Sequence, residues 1–212
     1  ATARLQGLGV QPNGSVLIST SYQGILASSP QPFVRLTPTG SHDTSFQPPS
    51  DVTPVPSPSG PSILVQPDGR VLVANGGGQG QLSTYSFVAR LLPSGALDPS
   101  WSVANNKDVN ALANSLQLLP TGEVLVAVPP HRFAGPTALP TGVGVLSATG
   151  SHVPAIAPLL LENGQLSAMA LQPDGKIVIT GSFCEINGTP VRNLARLLPT
   201  GALDAAFAAN CP

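Results

Sequence analysis

Charged side chains are scarce in this chain of 212 residues, since Asp, Glu, Lys and Arg make up only 9 % of it, against about 25 % in an ordinary soluble domain. Nine basic and ten acidic side chains leave a formal net charge of −1. The chain therefore lacks the excess of positive charge with which proteins bind nucleic acids or anionic lipids. No apolar run approaches the roughly 18 residues of a membrane-spanning helix. We expect neither a nucleic-acid partner nor insertion into a membrane.

Cysteine is nearly absent, with only Cys184 and Cys211 in the whole sequence. Two cysteines exclude a four-cysteine zinc site and a disulfide framework, and they permit one disulfide at most. The first residues, Ala1 to Arg4, do not begin a signal peptide, which fits a mature form or an excised segment. The scarcity of charge, of cysteine and of methionine indicates an exported bacterial protein, either secreted or on the cell surface.

Glycine and proline, in contrast, are abundant, with 22 and 24 residues, roughly double their usual combined share. Hydrophobic residues still reach 42 %, which separates the chain from the polar composition of disordered proteins. Many of the glycines mark an internal repeat. A motif of the form apolar-x-apolar-Gln-Pro-x-Gly occurs four times, with Leu119 in place of the glutamine in the third copy. The motif ends at Gly14, Gly69, Gly122 and Gly175.

A second motif, Leu-x-Pro-Thr/Ser-Gly or a remnant of it, follows the first one in every repeat. It ends at Gly40, Gly95, Gly150 and Gly201. Six residues later each repeat has a large apolar residue that we expect to be buried between adjacent repeats. These residues are Phe46, Trp101, Ile156 and Phe207. Three markers that stay in step along the whole chain establish four repeats of about 53 residues.

The pattern inside each repeat predicts strands rather than helices. Apolar residues occupy every second position on both sides of the first glycine, which is typical of a hairpin closed by a Pro-x-Gly turn. A third strand is predicted before the second glycine, at Phe33–Leu36, Phe87–Leu92, Gly142–Leu146 and Asn193–Leu198. No segment shows a sustained helical period, so we expect an all-β chain.

Three or four antiparallel strands in about 53 residues is the arrangement of a β-propeller blade. A blade buries its two faces only by stacking against neighbours, which explains strong aliphatic alternation with so few charges. We predict a single β-propeller domain over 1–212, with repeats at approximately 5–58, 59–111, 112–164 and 165–212. The sequence leaves open a closed four-bladed propeller or a part of a larger propeller or array.

The sequence of the fourth repeat follows the motif most regularly. It includes Ala170-Leu171-Gln172-Pro173-Asp174-Gly175-Lys176-Ile177-Val178-Ile179, then Asn193-Leu194-Ala195-Arg196-Leu197 and Gly201-Ala202-Leu203-Asp204-x-x-Phe207. This sequence resembles the delta-60 repeat of bacterial proteins. The resemblance covers nearly the whole chain, is close in the second and fourth repeats, and is poor in the third. It implies propeller units within large secreted or surface polypeptides, and it transfers no catalytic residue.

One pair of charged residues recurs around the second glycine. The arginine lies five residues before the glycine and the aspartate three residues after it, giving Arg35 with Asp43, Arg90 with Asp98, and Arg196 with Asp204. In the third repeat both positions change together, to Val145 and Val153. Joint loss is what a structural salt bridge predicts, because removing one partner of a semi-buried pair is costly while replacing both by apolar groups is tolerated.

Candidate residues for chemistry are few, and we expect no catalytic residue, no metal site and no cofactor. His42 and His152 occupy equivalent positions in alternate repeats; they are interpreted as turn residues rather than metal ligands. The stretches between the second and third strands vary most, and in a propeller such connections gather on one face, where they are free to bind. Within them the candidate binding residues are Tyr22, Tyr85, His131, Arg132 and Phe133.

We therefore interpret the chain as a non-catalytic extracellular scaffold, adhesion or ligand-binding module. Its expected partner is a protein or a glycan at a cell surface, or further copies of the chain itself. The alternatives are a structural subunit of a larger cell-surface or secreted assembly and, least favoured, a propeller enzyme.

The two cysteines generate a separate prediction. Cys184 and Cys211 lie in the same repeat, and the other three repeats have no cysteine at either position. We predict an intrachain disulfide, which would stabilise the fold by about 3 kcal/mol through closure of a loop of this length and would require an oxidising compartment. A bond between two chains and two free thiols are the alternatives. Intact mass before and after reduction decides: two alkylatable thiols in the unreduced protein contradict the prediction, and a doubled mass indicates the intermolecular bond.

Overall fold

The structure is a computed structural model, and it describes residues 5–20, 33–49, 52, 63–74, 88–101, 115–128, 142–153 and 164–207. Every regular element within these ranges is a β-strand. No helix that could cross a membrane is found among these residues. The all-β architecture expected from the repeat is thus confirmed for the described part of the chain.

Four antiparallel sheets of three or four strands follow one another in the described residues, one in each predicted repeat, and a fifth sheet of two strands forms a hairpin in the fourth repeat. The first contains β1 (Leu5–Val10), β2 (Val16–Thr20) and β3 (Phe33–Leu36), and the second contains β4 (Ile63–Val65), β5 (Val71–Ala74) and β6 (Val88–Leu91). The third contains β7 (Ser115–Leu118), β8 (Val124–Val128), β9 (Gly142–Leu146) and β10 (His152–Val153). The fourth contains β11 (Gln165–Leu171), β12 (Ile177–Ser182) and β15 (Leu194–Leu197), with the hairpin of β13 (Glu185–Ile186) and β14 (Thr189–Pro190) between β12 and β15.

Each sheet is a meander in which strands adjacent in sequence are also adjacent in space. The short fourth strand of the third sheet, β10, pairs with β9. In the other sheets this strand is reduced to a single bridge two residues after the second glycine, namely Leu36 with His42, Leu91 with Leu97, and Leu197 with Leu203. The interpretation of His42 and His152 as turn residues is therefore wrong, since His42 forms this bridge and His152 lies in β10, paired with Leu146.

The first turn of each sheet has the same hydrogen bonds wherever it occurs. In the first repeat Gly14 N donates to Gln11 O at 2.9 Å, and Gln11 N donates to Ser15 O at 2.8 Å. Gly14 adopts a φ of 83°, a conformation that glycine reaches without the steric penalty of a side chain. A turn closed by a residue of positive φ is a standard connection for a three-residue hairpin loop, and it sets the register of β1 with β2.

The apolar side chains form three clusters, each between two consecutive sheets. Leu17 and Phe33 of the first sheet pack with Ile63, Val73 and Leu91 of the second. The second and third sheets share another cluster, which includes Leu72, Val88, Leu116 and Val126. The third and fourth sheets share the last, which includes Leu125, Val143, Met169 and Ile179.

The first strands of the four sheets lie side by side, with β1 in contact with β4, β4 with β7, and β7 with β11. Stacking of successive sheets through their first strands is the arrangement expected of propeller blades. In the described residues, none of the three clusters joins the fourth sheet to the first.

The closing apolar residues differ in burial. Phe46 is buried as predicted, whereas Trp101 and Phe207 are only partly buried. Ile156 lies outside the described residues. Trp101 is held in place by a hydrogen bond of 3.1 Å from its indole Nε1 to Val88 O.

Two turn glycines, Gly95 of the second motif and Gly122 of the first, give a test of the contact between sheets. Gly95 has a φ of 93°, and a methyl group placed on it would lie 2.8 Å from Gln47 N in the preceding repeat. Gly122 has a similar φ of 88° with no atom within 4 Å of such a group. Gly122→Ala should therefore cost only the backbone strain, about 1–2 kcal/mol, while Gly95→Ala should cost about 1–3 kcal/mol more. Urea unfolding measures both, and equal losses would contradict a tight contact at Gly95.

Candidate functional site

The recurring arginines and aspartates lie next to each other in the first, second and fourth repeats. Arginine Nε donates to aspartate Oδ2 at 2.9 Å between Arg35 and Asp43, at 2.8 Å between Arg90 and Asp98, and at 2.9 Å between Arg196 and Asp204. The backbone places the partners, because each aspartate N–H also donates to the carbonyl oxygen of its arginine at 2.8–2.9 Å. An eight-residue separation across a tight turn therefore becomes a direct contact.

The second carboxylate oxygen holds the chain just after the aspartate. Asp98 Oδ1 accepts from Ser100 N at 2.9 Å and from Ser100 Oγ at 2.6 Å. Asp43 Oδ1 accepts equivalent bonds from Ser45 at 3.0 and 2.6 Å. Each aspartate thus fixes both the arginine and the turn that leads to the closing aromatic residue.

That aromatic residue lies against the guanidinium group of the same repeat. The distance from arginine Cζ to the ring centroid is 4.9 Å for Arg35 and Phe46, 4.6 Å for Arg90 and Trp101, and 4.6 Å for Arg196 and Phe207. Cation–π contacts within about 6 Å of the centroid are attractive. The sequence marked these aromatic residues as packing groups but gave no indication that they stack on the arginines.

The arginines also reach the next repeat. Arg90 Nη1 donates to Ala148 O at 2.6 Å, and Arg35 Nη1 donates to Pro93 O. Both acceptors lie two residues before the second glycine of the following repeat, so the two bonds are equivalent. A single side chain therefore ties the turn of its own sheet to the turn of the next sheet.

The third repeat shows how the site appears without the charges. Val145 and Val153 are register partners in β9 and β10, and Val153 packs against the cluster that contains Val145. Two apolar side chains thus occupy the place of the pair. The exchange is physically reasonable because neither an arginine nor an aspartate is left without its partner.

A second cation contacts two of the aspartates, and the sequence analysis did not identify it. Arg70 Nε lies 3.1 Å from Asp98 Oδ2, and Lys176 Nζ lies 3.6 Å from Asp204 Oδ2. Both cations directly follow the glycine of the first turn, and both also pair with the aspartate of that turn, Asp68 or Asp174. The basic residue after Asp-Gly was the available sequence signal.

These contacts keep the aspartates ionised. Burial by itself would raise the pKa of Asp98, but hydrogen bonds from Ser100 and the charge of Arg90 outweigh it, so the pKa lies below its ordinary value of 3.8. The Ser45 hydroxyl is the main cause that lowers the pKa of Asp43. A lowered pKa stabilises the folded state above the ordinary value, and this stabilisation is lost as the pH falls through the folded-state pKa. Such carboxylates hold structure and donate no proton near neutral pH.

The predicted binding residues Tyr22, Tyr85, His131, Arg132 and Phe133 lie outside the described residues. Of the four variable stretches only 183–192 is described, and there the chain forms the β13–β14 hairpin. Phe183 and Ile186 anchor this hairpin in the core, while Thr189 and Pro190 are exposed. Asn187 and Gly188 have φ values of 49° and 79°, as a two-residue hairpin turn of type I′ requires.

Cys184 is exposed, and Cys211 lies outside the described residues, so the disulfide stays a prediction. Across the ranges that the structure describes, no three His, Cys, Asp or Glu side chains are grouped as a metal site would require.

Two segments of the chain match a family model described as a domain of unknown function (DUF5122) beta-propeller. The matched residues are 66–100 and 172–207, which contain the pairs of Arg90 with Asp98 and of Arg196 with Asp204. These segments also belong to the second and fourth repeats, whose sequences resemble the delta-60 repeat most closely. The match supports a β-propeller repeat family. No curated protein matches the sequence significantly.

Solved structures of similar fold include large bacterial proteins. One is PorZ, a surface component of the type-IX secretion system of Porphyromonas gingivalis, with a TM-score of 0.54 and 13 % identity over 95 % of this chain and 27 % of that one. Another is the extracellular domain of the one component system BT4673 from B. thetaiotaomicron, with a TM-score of 0.54 and 12 % identity over 94 % of this chain and 22 % of that one. A third is the GH74 xyloglucanase of Xanthomonas campestris, with a TM-score of 0.53 and 13 % identity over 94 % and 30 %.

The chain thus spans less than a third of the length of each of these proteins. At such low identities the likeness concerns the fold alone. Together with the four stacked sheets, it places the chain among proteins of β-propeller type.

The buried pair of the second repeat allows a direct test of its role. Asp98→Ala should destabilise the protein by about 3 kcal/mol, because it leaves the buried Arg90 guanidinium without its carboxylate. The double variant Arg90→Val with Asp98→Val should lose less, since it reproduces the apolar pair of the third repeat. Chemical unfolding measures both, and a double variant less stable than Asp98→Ala would contradict this account.

Proposed function

We propose that the chain is a non-catalytic, secreted or cell-surface bacterial module of delta-60-like repeats, in which a β-scaffold presents loops for binding a protein or a glycan. The observation that carries the proposal is the hairpin at 183–192. Its apolar side chains Phe183 and Ile186 are buried, while Thr189 and Pro190 face solvent. A rigid base with an exposed polar tip is the usual construction of a binding loop.

The use of the charged residues supports the non-catalytic part of the proposal. In the described residues all five aspartates, at 43, 68, 98, 174 and 204, take part in ion pairs around the turns. Each of these pairs lies within one repeat, where it connects strands and turns, and each of the five pKa values is lowered. Such groups are committed to the scaffold.

The position of the hairpin supports binding at one end of the molecule. A methyl group placed on Gly175 would lie 3.4 Å from Pro199, so the two tight turns of the fourth sheet share one end. The β12–β15 connection, which contains the hairpin, runs at the opposite end. In the first three repeats the end of the second strand and the start of the third lie at this same end of the sheet, because the two strands are antiparallel. The proposed binding end is therefore the end away from the Gly-containing turns. An extracellular role is in keeping with similar folds in PorZ and in the extracellular domain of BT4673.

The experiment compares two variants of one residue type in the fourth sheet. Thr189→Asp changes the exposed hairpin, and Thr200→Asp changes an exposed turn at the opposite end. We expect the full chain to bind members of an immobilised glycan array or defined cell-surface proteins, with binding reduced at least tenfold by Thr189→Asp and unchanged by Thr200→Asp.

Equal loss in both variants, or no retention on any probe, would contradict the proposed site. The glycans of the array are also incubated in solution with the protein and assayed for new reducing ends. The appearance of new reducing ends would overturn the non-catalytic assignment and favour the alternative of a propeller enzyme.

A further inference from the structure

Two apolar side chains of β1 are exposed where their repeat equivalents are buried. Leu8 is 54 % exposed, whereas Ile63, Leu116 and Met169 at the same position of the other repeats are 3 %, 1 % and 8 % exposed. Val10, the next residue on this face, is 59 % exposed. Because the position in the repeat is the same, the difference comes from what lies against the strand.

In the later repeats this face is covered by the preceding sheet. A methyl group placed on Gly9 of the first sheet would lie 2.9 Å from Ile63 Cγ2 and 3.0 Å from Val65 Cγ2. Ile63 and Val65 are the equivalents of Leu8 and Val10. The first sheet therefore presents the surface that each later sheet offers to its predecessor, which we call the incoming face and define by Leu8, Val10, Gly14 and Gly40.

Gly40, at the edge of the incoming face, is exposed where its repeat equivalent is buried. Its equivalent Gly95 is buried against Phe46 and Gln47 of the preceding repeat, and Gln47 N donates to Ser94 O at 3.1 Å. Gly40 itself is exposed and, within the described residues, has no atom within 4 Å of its Cβ position. The repeat equivalent of Phe46 in the fourth repeat is Phe207.

The fourth sheet exposes the complementary surface. Leu194 is 37 % exposed, whereas its equivalents Phe33, Val88 and Val143 are at most 2 % exposed. Thr180 is also exposed, although the equivalent Ala74 and Ala127 are buried. We call this surface the outgoing face and define it by Thr180, Leu194, Arg196 and Phe207.

The polar groups of the two faces match as well. Arg35 and Arg90 donate to a carbonyl in the turn of the following sheet. Arg196 keeps its aspartate, but its side chain is 21 % exposed against 9 % and 7 % for Arg35 and Arg90, and the described residues contain no following turn for it. By repeat equivalence the missing acceptor is Pro38 O, on the incoming side of the first sheet.

A second polar pair leads to the same match. Gln11 Nε2 donates to Gly69 O at 2.9 Å, from the first sheet to the second. The equivalent of Gln11 in the fourth sheet is Gln172, and the equivalent of Gly69 in the first sheet is Gly14. By repeat equivalence, Gln172 Nε2 and Gly14 O are the second donor and acceptor that would meet between the two faces.

From these exposed halves of one interface we infer that the outgoing face of one molecule binds the incoming face of a second copy of the same chain, head to tail. The chain builds this interface three times between its own sheets, so a sheet of the same repeat is the occupant that fits. A contact between two different surfaces of identical chains is heterologous, and it closes into a ring when the rotation permits. Two copies would give eight sheets, within the usual four to eight blades of propellers.

The mass of the purified 212-residue chain in solution tests the inference. Light scattering coupled to size exclusion should give twice 21.5 kDa, about 43 kDa, at micromolar concentration. Higher multiples that grow with concentration would support the same contact in an open array. A monomer of 21.5 kDa up to 100 µM would overturn the inference.

Two variants distinguish head-to-tail contact from contact between like faces. Leu8→Asp with Val10→Asp disables the incoming face, and Leu194→Asp disables the outgoing face. Each variant alone should be monomeric, while an equimolar mixture should form a 1:1 dimer through the two intact faces. If Leu194→Asp alone remains dimeric, or if the mixture stays monomeric, the head-to-tail arrangement is wrong.

Thr189→Asp is the control, since Thr189 belongs to the exposed hairpin at the loop end and to neither face. It should keep the mass of the unchanged chain. Circular dichroism and unfolding curves of each variant establish that monomers are folded, and formation of the mixed dimer demonstrates folding independently. Because none of these readouts uses the ligand of the proposed function, failure of one proposal is distinguishable from failure of the other.

Discussion

The burial of both faces of every sheet is the constraint on which this molecule depends. A sheet of three or four short strands has no interior of its own, so its aliphatic side chains leave water only when another sheet lies against them. The three apolar clusters between consecutive sheets meet this requirement. Hydrophobic burial is the dominant favourable contribution to folding, and here it operates between repeats. Each repeat consequently relies on its neighbours for stability, as in other repeat proteins.

The arginine–aspartate pairs give this apolar stacking its alignment. Hydrophobic contact is not directional, and it would tolerate some sliding of one sheet over the next. Arg90 restricts such sliding because its guanidinium group contacts Asp98, the Trp101 ring and the Ala148 carbonyl oxygen together. Planar geometry with several donors suits arginine to this task better than lysine. Among the described residues, most of the charged side chains thus lie in the ion pairs around these turns.

The same geometry separates the scaffold from the proposed binding end. The tight turns at one end hold the ion pairs, and their aspartates are already committed to arginine, lysine and serine partners. The connections at the other end follow no common sequence, and the hairpin around Asn187 and Gly188 shows one way of building on that end. Variation can accumulate in these connections without loss of the stacking that holds the sheets. The proposed binding loops therefore lie at the end away from the ion pairs, and the inferred contact between two copies uses the faces of the first and fourth sheets.

The sequence by itself determined the repeat, the strands and the partners in the ion pairs. These features depend on contacts within one repeat: alternation specifies the strands, Gly14 and its equivalents specify the turns, and the joint change to Val145 and Val153 revealed that Arg and Asp act together. The tertiary structure decided what depends on the neighbouring repeat. The bond from Arg35 to Pro93 and the contrast between the exposed Leu8 and the buried Leu116 have no local signal. Residues at equivalent positions carry the same local pattern, and their burial differs because one sheet has a preceding sheet among the described residues and the other has none there.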